Sequence, residues 1–209
     1  QVEIEKTELL RMISLAQTVA EKRANMPNLV NLLFEAEEGV LKVYATDLEI
    51  SLAAQASAQV IKPGKIAVHA KHIFEIVKEL NDLPVKLSSV DRSWLQIQQK
   101  RYSSKLHVSN PDEYPLFPVV GSCEFVKDSS QTLKEMISKV IFSVSNDDAR
   151  YHLNGVFLER FWKDSQFHFR MVATDGHRLA VVTKTIEGVN IADDPAKLFG
   201  VIIPRKGVH

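Results

Sequence analysis

The sequence predicts an α+β protein made of one complete domain and part of a second copy of it. Two observations carry that expectation. Four short strings recur in the same order at nearly constant spacing. Each copy also opens on an amphipathic helical stretch followed by strand-length runs divided by turn residues. Leu9-Leu10-Arg11-Met12-Ile13-Ser14 returns as Leu133-Lys134-Glu135-Met136-Ile137-Ser138, and Asn31-Leu32-Leu33-Phe34-Glu35 as Asn154-Gly155-Val156-Phe157-Leu158. Val43-Tyr44-Ala45-Thr46-Asp47-Leu48 is answered by Met171-Val172-Ala173-Thr174-Asp175-Gly176, and Ile66-Ala67-Val68-His69-Ala70-Lys71 by Val201-Ile202-Ile203-Pro204-Arg205-Lys206. Chance supplies one such pair; four in order indicate duplication.

In the first copy, Leu9, Met12, Ile13, Ala16, Val19 and Ala20 share one face of a helix over residues 7–22, with Arg11, Ser14, Thr18 and Lys22 opposite. Strands are expected over 29–35 and 40–46, divided by the Glu38-Gly39 turn signal, and over 51–60, closed by Lys62-Pro63-Gly64. A short strand over 66–68 feeds a second helix whose buried side carries Ile73, Ile76, Val77 and Leu80. Residues 85–90, 94–99 and 105–108 read as further strands. In the second copy, Ser129 or Ser130 caps a helix burying Leu133, Met136, Ile137 and Val140, and strands are expected over 156–160, 167–173 and 179–185. The boundary falls at 115–122, giving domains 1–121 and 122–209. The last residues, Pro204-Arg205-Lys206-Gly207, read as the start of an element, so the second copy is expected to be incomplete and the chain a fragment.

Composition narrows the function classes. The 209 residues are 45% hydrophobic and 25% charged, an ordinary globular balance. Lys plus Arg number 26 and Asp plus Glu 26, so the total does not advertise a strongly basic nucleic-acid binder. One cysteine, Cys123, excludes an internal disulfide framework and any multi-cysteine zinc site. No apolar run has the length of a membrane span.

Thr174-Asp175-Gly176-His177-Arg178 is the densest polar cluster. Asp175 and His177 invite an acid–base reading, which would make the chain a hydrolase. The competing reading is a turn, because Asp-Gly between strands takes positive φ cheaply. Thr46-Asp47 stands at the same place in the first copy, so Thr-Asp is assigned to architecture. Gly176, His177 and Arg178 belong to the second copy alone and are the better functional candidates. No nucleophile elbow, phosphate-cradling loop or metal-spaced histidine pair completes a catalytic set. No catalytic residue, metal ligand or cofactor is therefore assigned. Arg11, Lys22, Arg23, Lys71, Lys78, Lys134 and Lys139 lie on or beside the helices, either as a solvated exterior or as one weakly positive surface suited to phosphates.

Three strings then carry a resemblance: Arg150-Tyr151-His152-Leu153-Asn154-Gly155-Val156, Ala173-Thr174-Asp175-Gly176-His177-Arg178-Leu179-Ala180-Val181, and Val201-Ile202-Ile203-Pro204-Arg205-Lys206-Gly207. Met26-Pro27, Ala45-Thr46-Asp47-Leu48-Glu49 and Asp112-Glu113-Tyr114-Pro115 support it. Over its whole length the chain resembles the β sliding clamps, the processivity subunits of bacterial DNA polymerase III.

The resemblance implies the DNA-clamp fold, with two inner helices per domain on outer antiparallel sheets, and three such domains per subunit, the third absent here. It implies a head-to-tail homodimer closing a ring around double-stranded DNA in the cytoplasm, at the nucleoid, with no cofactor and no membrane. DNA contacts map onto Arg23, Lys71, Asp147, Tyr151 and His152. Lys71 stands for an arginine, His152 for a tyrosine and Asp147 for a glutamine, and a carboxylate facing phosphate would repel it. A pocket for short linear motifs maps onto Arg150, Leu153, Thr174, Gly176, His177, Arg178 and Leu179. Its implied partners are the DNA polymerase III alpha subunit, the clamp-loader delta subunit, other DNA polymerases and repair proteins. A generic repeat scaffold without a DNA role is the alternative of a different class.

Overall fold

The computed structural model describes residues 1–20, 26–91, 93–115, 117, 129–147, 149–150, 152–185 and 199–208. The chain divides into two units, Gln1–Val119 and Val120–His209.

The first unit runs β1 (Val2–Ile4), α1 (Lys6–Val19), β2 (Asn31–Glu37), β3 (Val40–Thr46), β4 (Ser51–Ser57), β5 (Gln59–Val60), β6 (Gly64–His69), α2 (Ala70–Glu79), β7 (Val85–Val90), β8 (Trp94–Gln99) and β9 (Tyr102–Ser109). Alternation of apolar and polar residues gives most of these strands one core face and one outer face. They pair antiparallel in the order β4-β3-β2-β6-β9-β8-β7-β1-β5. Strand β9 serves both halves of this sheet: its first six residues pair with β8, and Val108 and Ser109 pair with β6 or lie beside it. Helix α1 packs on α2 and on β2, β3 and β4. Its residues Leu9, Met12, Ile13 and Ala16 are fully buried, as the three-and-four spacing requires. They join Leu32, Val43, Ile73, Val77, Val85 and Ile97 in one core.

Several expectations shift at element ends. The strand expected from residue 29 begins at Asn31, because Pro27–Val30 form a 3-10 turn whose proline lacks a donor. The run 51–60 is two strands, for β4 pairs with β3 whereas β5 pairs with β1. Leu133, assigned to a buried helix face, is exposed.

The second unit contains α3 (Ser130–Val140), β10 (Gly155–Lys163), β11 (Gln166–Thr174), β12 (Leu179–Thr185), β13 (Phe199–Pro204) and a last turn α4 (Arg205–Val208). Ser129 occupies the N-cap position of α3, which buries Met136 and Val140 against β11 and β12. The sheet order is β12-β11-β10-β13, all antiparallel. Strand for strand, this repeats β4-β3-β2-β6.

Registers refine the repeat. Asn31 pairs with His69 and Leu33 with Tyr44, while Gly155 pairs with Pro204 and Phe157 with Val172. Asn31 is therefore equivalent to Gly155, not to Asn154, and the sequence echo of the two asparagines is one residue out of step. Period-two alternation makes this consequential, since a one-residue slip moves every side chain to the other face. Leu32 and Val156 are the matching inward residues, both fully buried.

The outer faces differ. In the first unit the segment after β9 lies against β2 and β3: the Tyr114 hydroxyl donates to the carbonyls of Asn31 (3.3 Å) and Tyr44 (3.4 Å). The Phe117 ring packs 5.1 Å from that of Tyr44, and burial pushes the Tyr114 phenol up to about 12. In the second unit the equivalent cross-strand row, Val181, Val172, Phe157 and Ile202, leaves Val181, Phe157 and Ile202 exposed.

The register yields a paired test. Val156→Asp places an unpaired carboxylate in the core and should cost about 3–5 kcal/mol or more, whereas Phe157→Asp on the outer face should cost about 1 kcal/mol. Urea unfolding followed by far-UV circular dichroism measures both, and the reverse ranking would indicate the shifted register.

Candidate functional site

Antiparallel pairing brings three segments to one end of the second unit's sheet. Strand β10 begins where β11 and β13 end, since Phe157 pairs with Val172 and Gly155 with Pro204. The loop before β10, the Thr174–Leu179 turn and the start of α4 are thereby neighbours along that end.

The turn is built by its first two residues. Thr174 Oγ1 donates to the Arg178 carbonyl (2.7 Å) and accepts from the Gly176 amide (3.1 Å). Asp175 Oδ1 accepts from the amides of His177 and Arg178, each at 3.0 Å. The first unit makes the same four bonds: Thr46 Oγ1 to the Ile50 carbonyl and from the Leu48 amide, and Asp47 Oδ1 from the amides of Glu49 and Ile50. Thr-Asp is thus a shared structural device. Asp175 Oδ2 also takes the Arg178 guanidinium at 2.9 Å. The His177 amide hydrogen bond, followed by the Arg178 contacts, holds the Asp175 carboxyl below the usual aspartate range. Both its oxygens serve the turn, which leaves it poorly placed as the base of a hydrolase.

What the second copy adds lies on the outside of this frame. Gly176 takes φ 89°, with the Arg150 guanidinium 3.8 Å from where a Cβ would stand. Leu48 holds the same position in the first unit at φ 76° despite its side chain. Thr174 is half-buried, His177 and Arg178 are exposed, and Leu179 is 66% exposed, a large apolar side chain left to solvent. The Arg178 guanidinium lies 5.7 Å from the exposed ring of Phe142, just beyond α3.

The loop before β10 folds on its own backbone. Arg150 and Asp147 are joined by a backbone bond of 3.0 Å, and the Arg150 carbonyl accepts from the amides of Leu153 (2.8 Å) and Asn154 (3.1 Å). Asp147 accepts from the Ala149 amide and sits 3.4 Å from the Arg150 guanidinium. Arg205, the first residue of α4, donates its amide to the Asn154 carbonyl (3.1 Å), and its guanidinium meets the Asn146 side-chain oxygen.

The structure therefore brings Arg150 and Gly176 together and sets Leu153 and Leu179 at the same sheet end. Asp147 and His152 are exposed on the adjoining loop. Lys71 belongs to the first unit, exposed in the first turn of α2 and 3.7 Å from Glu75, a solvated pair that holds it weakly. Arg23 and Tyr151 lie outside the described residues. Sequence reasoning passed over Phe142 and Arg205. Phe142 had no periodic signal, and Arg205, although part of the repeated string, was given no site role until its bonds to the loop before β10 were known. Among the described residues no three His, Cys, Asp or Glu side chains gather as metal ligands, and no helix is long and apolar enough to cross a membrane.

Comparisons with known proteins bear on the family and the fold. Residues 1–118 match the family model of the DNA polymerase III beta subunit, N-terminal domain, and residues 128–209 that of its central domain. The beta sliding clamp of Caulobacter vibrioides is 33% identical over 207 residues, covering 98% of this chain and 54% of that protein. The one from Rickettsia bellii is 31% identical over 209 residues, 100% of this chain and 52% of its own length. The crystal structure of the DNA polymerase sliding clamp from Caulobacter crescentus superposes with a TM-score of 0.84 at 33% identity, covering 99% of this chain and 55% of that one. The chain thus spans about half the length of these relatives.

Two outcomes test the turn. Gly176→Ala should destabilise by about 1–2 kcal/mol through its positive φ, while Leu48→Gly should be neutral or stabilise by up to about 1 kcal/mol; thermal unfolding reads both. Because the folded pKa of Asp175 is depressed, its stabilisation is complete above the ordinary aspartate value of about 3.9 and is lost as pH falls through the folded value. The difference in unfolding midpoint between the parent and Asp175→Asn should accordingly shrink between pH 6 and pH 2.5.

Proposed function

The chain belongs to the DNA polymerase III beta-subunit family, and from that premise we propose that it forms part of a sliding clamp that encircles duplex DNA and confers processivity on the replicative polymerase. Residues 1–121 then form the N-terminal domain and residues 122–209 part of the middle domain, in a head-to-tail homodimer within the cytoplasm. The observation that carries the reading is the repeated strand order, β4-β3-β2-β6 in one unit and β12-β11-β10-β13 in the next. A ring is built by repeating one unit, and this chain repeats one.

The mechanism is physical rather than catalytic. A closed ring stays on DNA by topology, so its phosphate contacts can be few, weak and indifferent to sequence. A balanced total charge with exposed cations such as Lys71 suits a ring that must slide, because tight phosphate binding would act as a brake. Docking is served by the end of the second unit's sheet. Leu153, Leu179 and the open backbone at Gly176 offer an apolar floor with polar groups at its rim, from Arg150, Thr174, His177 and Arg178. Its occupants in this reading are short linear motifs of the DNA polymerase III alpha subunit, the clamp-loader delta subunit, other polymerases and repair proteins. The first unit has a cleft of about 780 Å³ between α2 and the β8–β9 hairpin, lined by Ile76, Leu80 and the half-exposed Tyr102.

A polypeptide spanning the full length of the relatives, loaded onto nicked circular DNA, should remain bound through gel filtration and be released when the circle is linearised. Equal release from both forms would reject the ring, and retention on neither would favour a scaffold without a DNA role.

A further inference from the structure

Phe142 is a large apolar side chain kept at the surface by an anchored backbone. Helix α3 ends at Val140 and a 3-10 turn, Ile141–Ser143, follows, closed by the Val144 amide on the Ile141 carbonyl at 3.2 Å. Val140, Ser143 and Val144 are buried, so the turn is pinned on both sides of Phe142 while the ring itself is 58% exposed. The ring takes no part in the second unit's core and forgoes the gain of burial.

What it meets instead is Arg178. The guanidinium carbon lies 5.7 Å from the ring centroid, within the range of a cation–π contact. The same guanidinium donates through Nε to Asp175 Oδ2 at 2.9 Å. Two contacts from separate segments therefore hold one long side chain whose rotamer freedom would otherwise be lost on binding. The aspartate bond uses only Nε, and the Arg178 side chain stays 58% exposed, so its Nη donors are open to an incoming acceptor.

The first unit lacks both members of this pair. Thr46 donates to the Ile50 carbonyl as Thr174 does to that of Arg178, which makes Ile50 the counterpart of Arg178. The offset of 124 residues that aligns Met12 with Met136 puts Thr18 at the place of Phe142. Thr18 lies within α1, its hydroxyl donating to the Leu15 carbonyl at 2.7 Å. Ring and guanidinium thus occur together in the second unit, beside Gly176 and His177, and are both missing from the first.

We propose that Phe142 is a positioning residue of the docking end: its ring and the Asp175 carboxylate hold the Arg178 guanidinium so that the Nη donors meet an acceptor oxygen of the bound peptide. This rests on the docking reading above and adds a residue from outside the turn to it. Phe142 acts through Arg178 and does not itself touch the peptide.

The test is a double-mutant cycle in the 209-residue chain, titrated to millimolar concentration with a peptide carrying the docking sequence of a DNA polymerase III alpha subunit and followed by amide chemical shifts. Arg178→Ala should weaken binding about ten-fold, as for loss of a charge-assisted hydrogen bond. Phe142→Leu should weaken it about three-fold, the size of an exposed cation–π contact, and should add nothing in the Arg178→Ala background. Phe142→Tyr, which keeps the ring, should restore both the parent affinity and the Arg178 Nε–H chemical shift, which Phe142→Leu should displace. Parent-like binding by Phe142→Leu beside weakened binding by Arg178→Ala overturns the inference and leaves the docking reading standing. Equal losses from Phe142→Leu with and without Arg178 would mean that the ring touches the peptide, and overturn the positioning role. Binding unaffected by Arg178→Ala, or absent from the parent chain, overturns the docking reading and the inference with it. Circular dichroism verifies that each variant is folded.

Discussion

The antiparallel register of β10, and of its counterpart β2, is the constraint on which the rest of the structure depends. Each is an inner strand, flanked on one side by the strand that follows it and on the other by one that returns after a long connection. Pairing Phe157 with Val172 and Gly155 with Pro204 sends Val156 into the core and sets the chain end of β13 beside the start of β10. A slip by one residue would exchange core and surface on β10 and separate the loop carrying Arg150 from the turn carrying Gly176. The packing of α3 and the assembly of the functional end are therefore two consequences of the same ladder of hydrogen bonds.

Duplication explains how this end could diverge without losing its frame. The four hydrogen bonds made by Thr46 and Asp47 are made again by Thr174 and Asp175 at nearly the same lengths. With the turn secured by those two side chains, the following positions are free to differ. The first unit places Leu48 at positive φ and accepts the strain; the second places Gly176 there, opens the backbone and sets His177, Arg178 and Leu179 outward. Architecture resides in the shared residues, and the groups presented to solvent differ in the unshared ones.

Much of the fold was legible in the sequence because its signals are local. The helix face from Leu9 to Val19 and the strands over 40–46, 85–90 and 94–99 follow from periodicity and turn residues, and the structure places them at those bounds or within a few residues. The assignment of Thr-Asp to the turn was also legible, since two copies without shared catalytic partners point to a structural role. What escaped depends on long-range pairing. Nothing within residues 51–60 tells that their two ends belong to different partners, β3 and β1. Asn31 and Asn154 look alike in sequence but lie out of step in space, because only the sheet register defines equivalence. Phe142 went unnoticed, and Arg205 was named without a site role, for the same reason: their neighbours at this sheet end are distant in sequence.

The claim at the centre of this account is that three separate segments at one end of the second unit form a single partner surface, with no counterpart in the first unit. Amide chemical-shift mapping with a peptide carrying the docking sequence of a DNA polymerase III alpha subunit tests it directly. The account predicts perturbations in residues 145–154, 174–179 and 204–208 together, with residues 46–51 unmoved. Shifts at the 46–51 turn of equal size, or shifts confined to one of the three segments, would contradict it.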